Sequence, residues 1–193
     1  MVDTQPSGSV RADAQRNRQR LIEVAREAFG TGEGKVSLEA VARDAGVGIG
    51  TLYRHFPTRE ALVEAVYRAE RTRLCDTAEE LLAELPPDSA LRAWMDGFAE
   101  YVATKQGMGD ALRALVASGT ITKSDARAEL SAAVRKILDA GAVAGTLRVD
   151  VEAEDVVVST VGIFSVCTLP EQRDQAARLL DLLMDGLRHR PAV

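Results

Sequence analysis

From Asp13 the apolar positions Ala14, Leu21, Ile22, Ala25, Ala28 and Phe29 recur at the three- and four-residue spacing of one helical face. Arg16, Arg18, Arg20 and Arg26 fall largely off that face, and Gly30, Gly32 and Gly34 end the run. Residues 1–12, with Pro6, Ser7, Gly8 and Ser9, read as a flexible tail. Leu38, Val41, Ala42 and Ala45 give the stripe of a second helix, which Ser37 can cap and Val36 can staple. Gly46 suits a sharp turn, and Val47 can plug the angle that follows. A third, short helix is expected over 48–56, ended by Pro57. Thr58 caps a fourth, with Glu60 and Glu64 near the positive end of its dipole. That helix is long: Leu62, Val66, Ala69, Leu74, Ala78, Leu81, Leu82 and Leu85 carry it to Pro86 and Pro87.

Further helices are expected over 89–104, 109–118, 124–142, 151–168 and 171–189, punctuated by Gly107, Gly109, Gly119, Gly141, Gly145 and Pro170. The Val-Val-Val and Ile-Phe of 151–168 are strand formers by propensity, but no partner strand is evident, so helix is expected there too. The fold class is therefore all-α. An N-terminal three-helix domain at 13–57 is joined by the long helix to a C-terminal helical domain, the two dividing at 57/58.

Composition narrows the function. The 193 residues are 46% hydrophobic and 27% charged, which suits a globular chain. The net charge is −5, yet basic groups slightly outnumber acidic ones up to Arg73 and the acidic excess lies beyond. Such a chain can still meet a polyanion where its basic groups cluster, because screening makes phosphate attraction local. Cys75 and Cys167 are far apart and in no metal-binding spacing. His55 and His189 are the only histidines, and there is no nucleophile elbow or phosphate-binding glycine loop. No catalytic residue, metal or cofactor is expected. No early segment resembles a signal peptide, and the longest apolar stretch, 156–169, falls short of the roughly 20 residues of a spanning helix. A cytoplasmic protein without a membrane partner is expected.

Residues 37–56, SLEAVARDAGVGIGTLYRHF, have the spacing of a helix-turn-helix: a helix, a Gly-centred turn and a second short helix able to enter the major groove. Leu38, Val41, Ala42, Val47, Leu52 and Phe56 supply the apolar wedge, leaving Ile49, Gly50, Thr51, Tyr53, Arg54 and His55 for outward contacts. The string 48–62, GIGTLYRHFPTREAL, resembles the TetR family of bacterial transcriptional regulators, clearly over residues 12–66 and beyond that in helix number and order. The resemblance implies a homodimer that binds double-stranded operator DNA with its first three helices and a small-molecule effector with the rest. By position it places the Ser37 hydroxyl near a phosphate, Gly50 and Thr51 against the groove, Tyr53 and His55 as an aromatic pair with polar tips toward phosphate, and Arg59 as a phosphate clamp. Arg43 and Arg54 are either DNA contacts or solvated charges, and Arg11, Arg16 and Arg18 either an arm toward DNA or a disordered basic tail. One departure stands out: position 48 is Gly, where the family commonly has a small hydroxylated residue. Base reading then falls to Ile49 on thymine methyls, Thr51 and close backbone approach.

Trp94, Met95, Phe98 and Tyr101, on a broad apolar face, are expected to line the effector pocket with Met108, Leu112, Leu115 and Phe164, although ordinary core packing gives the same pattern. The resemblance also implies that the last two helices pair with those of a second copy, through Val157, Val161, Leu179, Leu183 and Leu187. The function expected is that of a repressor released from its operator by an effector. The alternative is a DNA-binding regulator acting without a ligand, as an activator or under a protein partner.

Overall fold

The computed structural model describes residues 7–31, 36–167 and 169–189. Expectations placed on 1–6, Gly32, Gly34 and Thr168 lie outside them. Eight α-helices follow in order: α1 Ser7–Gly30, α2 Leu38–Asp44, α3 Ile49–His55, α4 Arg59–Glu84, α5 Pro87–Ala117, α6 Lys123–Ala144, α7 Ala153–Val166 and α8 Arg173–Leu187. The only extended pairing among the described residues is an isolated antiparallel bridge between Leu147 and Arg188.

Several boundaries differ from expectation. Helix α1 begins at Ser7, so residues 7–12 are helix rather than flexible tail. Arg11, Ala12, Ala14 and Gln15 are good helix formers, and extending a nucleated helix adds a hydrogen bond per residue fixed. Arg11, Arg16 and Arg18 therefore stand on a helix, not in a disordered basic tail. The helices expected over 89–104 and 109–118 are the two arms of α5, which meet at a kink where Gly109 leaves helical geometry (φ 49°, ψ −123°). Residues 151–168 do form a helix, α7, because Val156, Val157, Thr160 and Phe164 bury one face. A single 3-10 turn over Pro170–Gln172 precedes α8.

Packing groups the chain into two units. One takes in residues up to Ala69 together with Ala103–Ile121; the other takes in Glu70–Val102 and the residues from Thr122 onward. Helices α4 and α5 thus contribute to both.

In the first unit the core is Leu21, Ile22, Ala25 and Phe29 of α1, Val41 and Ala42 of α2, Ala45, Leu52 of α3, Phe56, and Leu62, Val63 and Val66 of α4, all buried. Burying each Leu, Val, Ile or Phe side chain stabilises the unit by about 1.5–3 kcal/mol relative to exposure. The C-terminal part of α5 adds Met108, Leu112 and Leu115. Gly107 packs so closely on the Phe29 carbonyl that a Cβ there would fall 1.9 Å from the oxygen. Position 107 is therefore a contact that only glycine permits, rather than a helix break.

In the second unit α6 buries Ala133, Val134, Ile137 and Leu138, α7 packs on it with Val156 and Phe164 buried, and α8 packs on α7 with Leu180 and Met184 buried. The Trp94 ring sits 5.6 Å from Phe98, which lies 5.2 Å from Tyr101 and stacks on Phe164 at 6.2 Å. Ion pairs tie α4 to α6 through Arg71 and Glu129 (2.7 Å), and α5 to α8 through Arg92 and Asp181 (2.8 Å).

Candidate nucleic-acid interface

The helix-turn-helix is set by its two caps and one turn. Ser37, extended at φ −86° and ψ 132°, accepts a hydrogen bond from the Ala40 amide at 3.3 Å and begins α2. Its hydroxyl donates to Glu39 Oε2 at 2.8 Å, and this bond holds the Glu39 carboxyl below the usual range. The Ser37 proton is thus committed inside the protein until Glu39 releases it. Gly46 takes φ 68°, the left-handed backbone that an L side chain resists, and turns the chain between α2 and α3. The Val47 amide donates to the Ala42 carbonyl at 2.9 Å, closing the turn.

Helix α3 starts without a side-chain cap, since Gly48 is at the N-cap and only its carbonyl takes part, accepting from Thr51 and Leu52. Leu52 is fully buried, and Phe56 just past the helix end is nearly so. Those two side chains seat α3, and its opposite side faces outward. Ile49 is 39% exposed and Tyr53 45% exposed, one turn apart. Gly50 and Arg54 are also exposed, while Thr51 and His55 are half-buried. The structure thus brings Ile49, Gly50, Thr51, Tyr53, Arg54 and His55 onto one short helix. Leu38 and Val47, expected in the wedge, are only half-buried.

Basic residues surround this helix in different states. Arg18 places its guanidinium 5.2 Å from the centre of the Phe56 ring, a cation–π contact that fixes it beside the end of α3. Arg16 pairs with Asp13 one turn earlier, and Arg43 pairs with Asp44 at 3.0 Å. Arg59, expected as a phosphate clamp, is half-buried: its Nη1 donates to the Val36 carbonyl and its guanidinium lies 5.8 Å from the centre of the Phe29 ring. It therefore braces the ends of α1 and α4 against the entry to α2. Sequence reasoning missed this duty because neither partner is near Arg59 along the chain. Thr58 caps α4 as expected, accepting from the Ala61 amide at 3.1 Å.

The residues expected around an effector fall in both units. Trp94, Met95, Phe98, Tyr101 and Phe164 are buried in the second unit, and the Trp94 indole N–H donates to the Leu74 carbonyl at 2.9 Å. Met108, Leu112 and Leu115 are buried in the first unit. Of the residues expected at a dimer face, Val157 and Leu187 are buried in their own chain, Leu179 and Leu183 are half-buried, and Val161 is 37% exposed. The helical period puts Val158 and Leu182, 46% and 68% exposed, on the outer faces instead. Burial pushes the Cys75 thiol up to about 11, so it is protonated and unreactive near neutrality. Among the described residues no helix is long and apolar enough to cross a membrane, and no cluster of His, Cys, Asp and Glu could hold a metal.

Comparison with known proteins agrees with this geometry. Residues 21–66 match the family described as bacterial regulatory proteins, tetR family, and residues 86–189 match the C-terminal domain of SbtR-like transcriptional regulators. An HTH-type transcriptional regulator of Staphylococcus aureus is 43% identical over 54 residues, a stretch spanning 28% of this chain and 29% of that relative. Among solved structures, a TetR transcriptional regulator of Streptomyces coelicolor is 50% identical with a TM-score of 0.80, over 89% of this chain and 98% of its own. A TetR regulator of Mycobacterium vanbaalenii is 36% identical with a TM-score of 0.72, over 93% and 99%. A helix-turn-helix with an outward α3, the two family matches and full-length likeness at half identity agree: the chain belongs to the TetR family of DNA-binding bacterial transcriptional regulators.

Proposed function

We propose that the protein acts in the cytoplasm as a homodimeric repressor, holding a near-palindromic operator until a small molecule releases it. The observation that carries the DNA half of this reading is the outward face of α3, where Ile49, Gly50, Tyr53 and Arg54 are exposed beside a core that fixes the helix through Leu52 and Phe56. Two such helices, one per protomer, would enter successive major grooves about one helical turn apart. Thr51 and Ile49 face bases, Tyr53 and His55 meet phosphates, Arg54 supplies charge, and Ser37 joins once Glu39 yields its hydroxyl. Arg59 contributes through its remaining donors while it holds Val36. The exposed Val158, Val161 and Leu182 with the half-buried Leu179 and Leu183, on α7 and α8, offer the apolar face for the second copy, since apolar patches on adjacent helices mark interaction surfaces.

Release follows if a ligand binds one arrangement of the chain better than another, because a ligand shifts an equilibrium only by its differential affinity. The aromatic group of Trp94, Phe98, Tyr101 and Phe164 is the place proposed for that ligand. A second reading, regulation without a small molecule, is favoured by the packing of the same group: Trp94, Met95 and Phe98 have no exposed surface, and the Trp94 N–H is already satisfied.

The test is footprinting and in vitro transcription on the DNA flanking the protein's own gene. Protection of a near-palindrome over the promoter, with transcription falling, is the expected result. No protection at any salt would refute the DNA reading, and rising transcription would refute repression. Thermal-shift screening with small apolar and cationic compounds separates the two modes of control: stabilisation by a compound that also lifts protection supports the effector. A native mass spectrum without ligand and no hit in the screen support the second reading.

A further inference from the structure

We propose that Gly48 and Gly50 are specificity-determining clearances, which let the first turn of α3 approach a base-pair edge closely enough for Ile49 to pack on a thymine methyl. The inference rests on α3 being the recognition helix and names what that helix reads.

Where this fold needs a glycine, the reason is visible. Gly107 has the Phe29 carbonyl against it, and Gly46 has a positive φ. Gly48 and Gly50 have neither reason, which is also true of Gly162 on α7 and Gly186 on α8, but only Gly48 and Gly50 flank the exposed Ile49 at the start of α3. A Cβ at either position would meet nothing within 4 Å, and Gly48 sits at φ −69°. Nor does the helix gain from them. Gly50 in a helix is less favourable than Ala would be. Gly48 also leaves α3 without the side-chain cap that Ser37 gives α2 and Thr122 gives α6. The space beside both residues is therefore open to something outside the chain.

Between the two glycines stands Ile49, which with Tyr53 makes up the exposed large hydrophobic side chains of the first unit among the described residues. A β-branched side chain held in water between two bare positions suits an apolar target that comes very near the backbone. The thymine 5-methyl is the apolar group that the major groove presents. Alanine or serine at 48 or 50 would hold the helix away by the width of a methyl or hydroxymethyl group, and Ile49 would then fall short.

The experiment begins with selection of operators from a random duplex library by the full-length protein. Each thymine of the selected site is then replaced by uracil, which removes only the 5-methyl. Uracil at the position Ile49 covers should weaken binding about fourfold, as expected for one apolar carbon. Ile49→Ala should bind the thymine and uracil duplexes equally. Gly50→Ala and Gly48→Ser should keep or raise the melting temperature, weaken operator binding tenfold or more, and leave affinity for random-sequence DNA within twofold. If no uracil replacement matters, if its effect persists in Ile49→Ala, or if the glycine variants bind the operator like the parent, the proposal is wrong. A lowered melting temperature in both glycine variants would overturn it too, since it would give the glycines a role in folding. Enrichment without uracil sensitivity sinks this inference alone, whereas no enrichment at all sinks the recognition-helix reading with it.

Discussion

Arg59 and Arg54 carry the same charge five residues apart, and the structure gives them different work. Arg59 has its guanidinium against the Phe29 ring and on the Val36 carbonyl, while Arg54 is exposed with no such hold. Arg59→Ala should therefore lower the melting temperature as well as DNA affinity, and calorimetry beside a binding titration would show both. Arg54→Ala should leave the melting temperature unchanged and reduce the salt slope of DNA binding by about 0.9 for each phosphate contact removed. An unchanged slope would show that Arg54 is only a solvated charge. Thr51→Ala is expected to alter preference among operators, and equal loss on all sequences would contradict a base-reading role. Tyr53→Phe should weaken every sequence alike without changing the slope, because its hydroxyl is uncharged. At this scale the outward residues of α3 were legible from the helix-turn-helix spacing and the family resemblance, not from periodicity, since Ile49, Leu52, Tyr53 and Phe56 share the spacing of one helical face. The bracing of Arg59 was not legible, because it depends on two groups that only the fold brings near.

The two tightest local devices lie at the level of elements. Gly107→Ala would drive a methyl into the Phe29 carbonyl, an overpacking that costs about 1–3 kcal/mol, and denaturant unfolding should show the loss. A neutral result would mean that α1 and α5 part easily. Ser37→Ala removes a cap worth about 1 kcal/mol and frees Glu39. Between α6 and α7, the Arg148 guanidinium hydrogen-bonds Asp150 and pulls its carboxyl down to about 2. A carboxyl depressed in the folded state adds stability above its ordinary pKa, which is lost as pH falls through the folded value. An NMR titration of Asp150 should accordingly find a midpoint near 2, and one near 4 would show the pair unformed. Helices and most caps were legible because their signals are local. The break between 89–104 and 109–118 was legible as well, at Gly109, but the role of Gly107 was not, since it meets a carbonyl from α1 and is tertiary.

For the whole molecule, family and fold were legible in the sequence, whereas the packing units carry no local mark. The packing units take α4 and α5 into both, a division set by long-range burial that no composition shift marks. Of the dimer residues that the resemblance implies, Val157 and Leu187 are buried within the chain, whereas Val158 and Leu182 beside them are exposed. Leu182→Asp should convert a dimer to monomer in sedimentation without unfolding the chain, and an unchanged mass would place the interface elsewhere.

The recognition helix itself is tested most directly by the ratio of affinities for a selected operator and a scrambled duplex of equal length and composition, measured by fluorescence anisotropy at physiological salt. The account predicts a ratio of about 1,000 or more, as sequence-specific regulators show. Equal affinity for the two duplexes would contradict it.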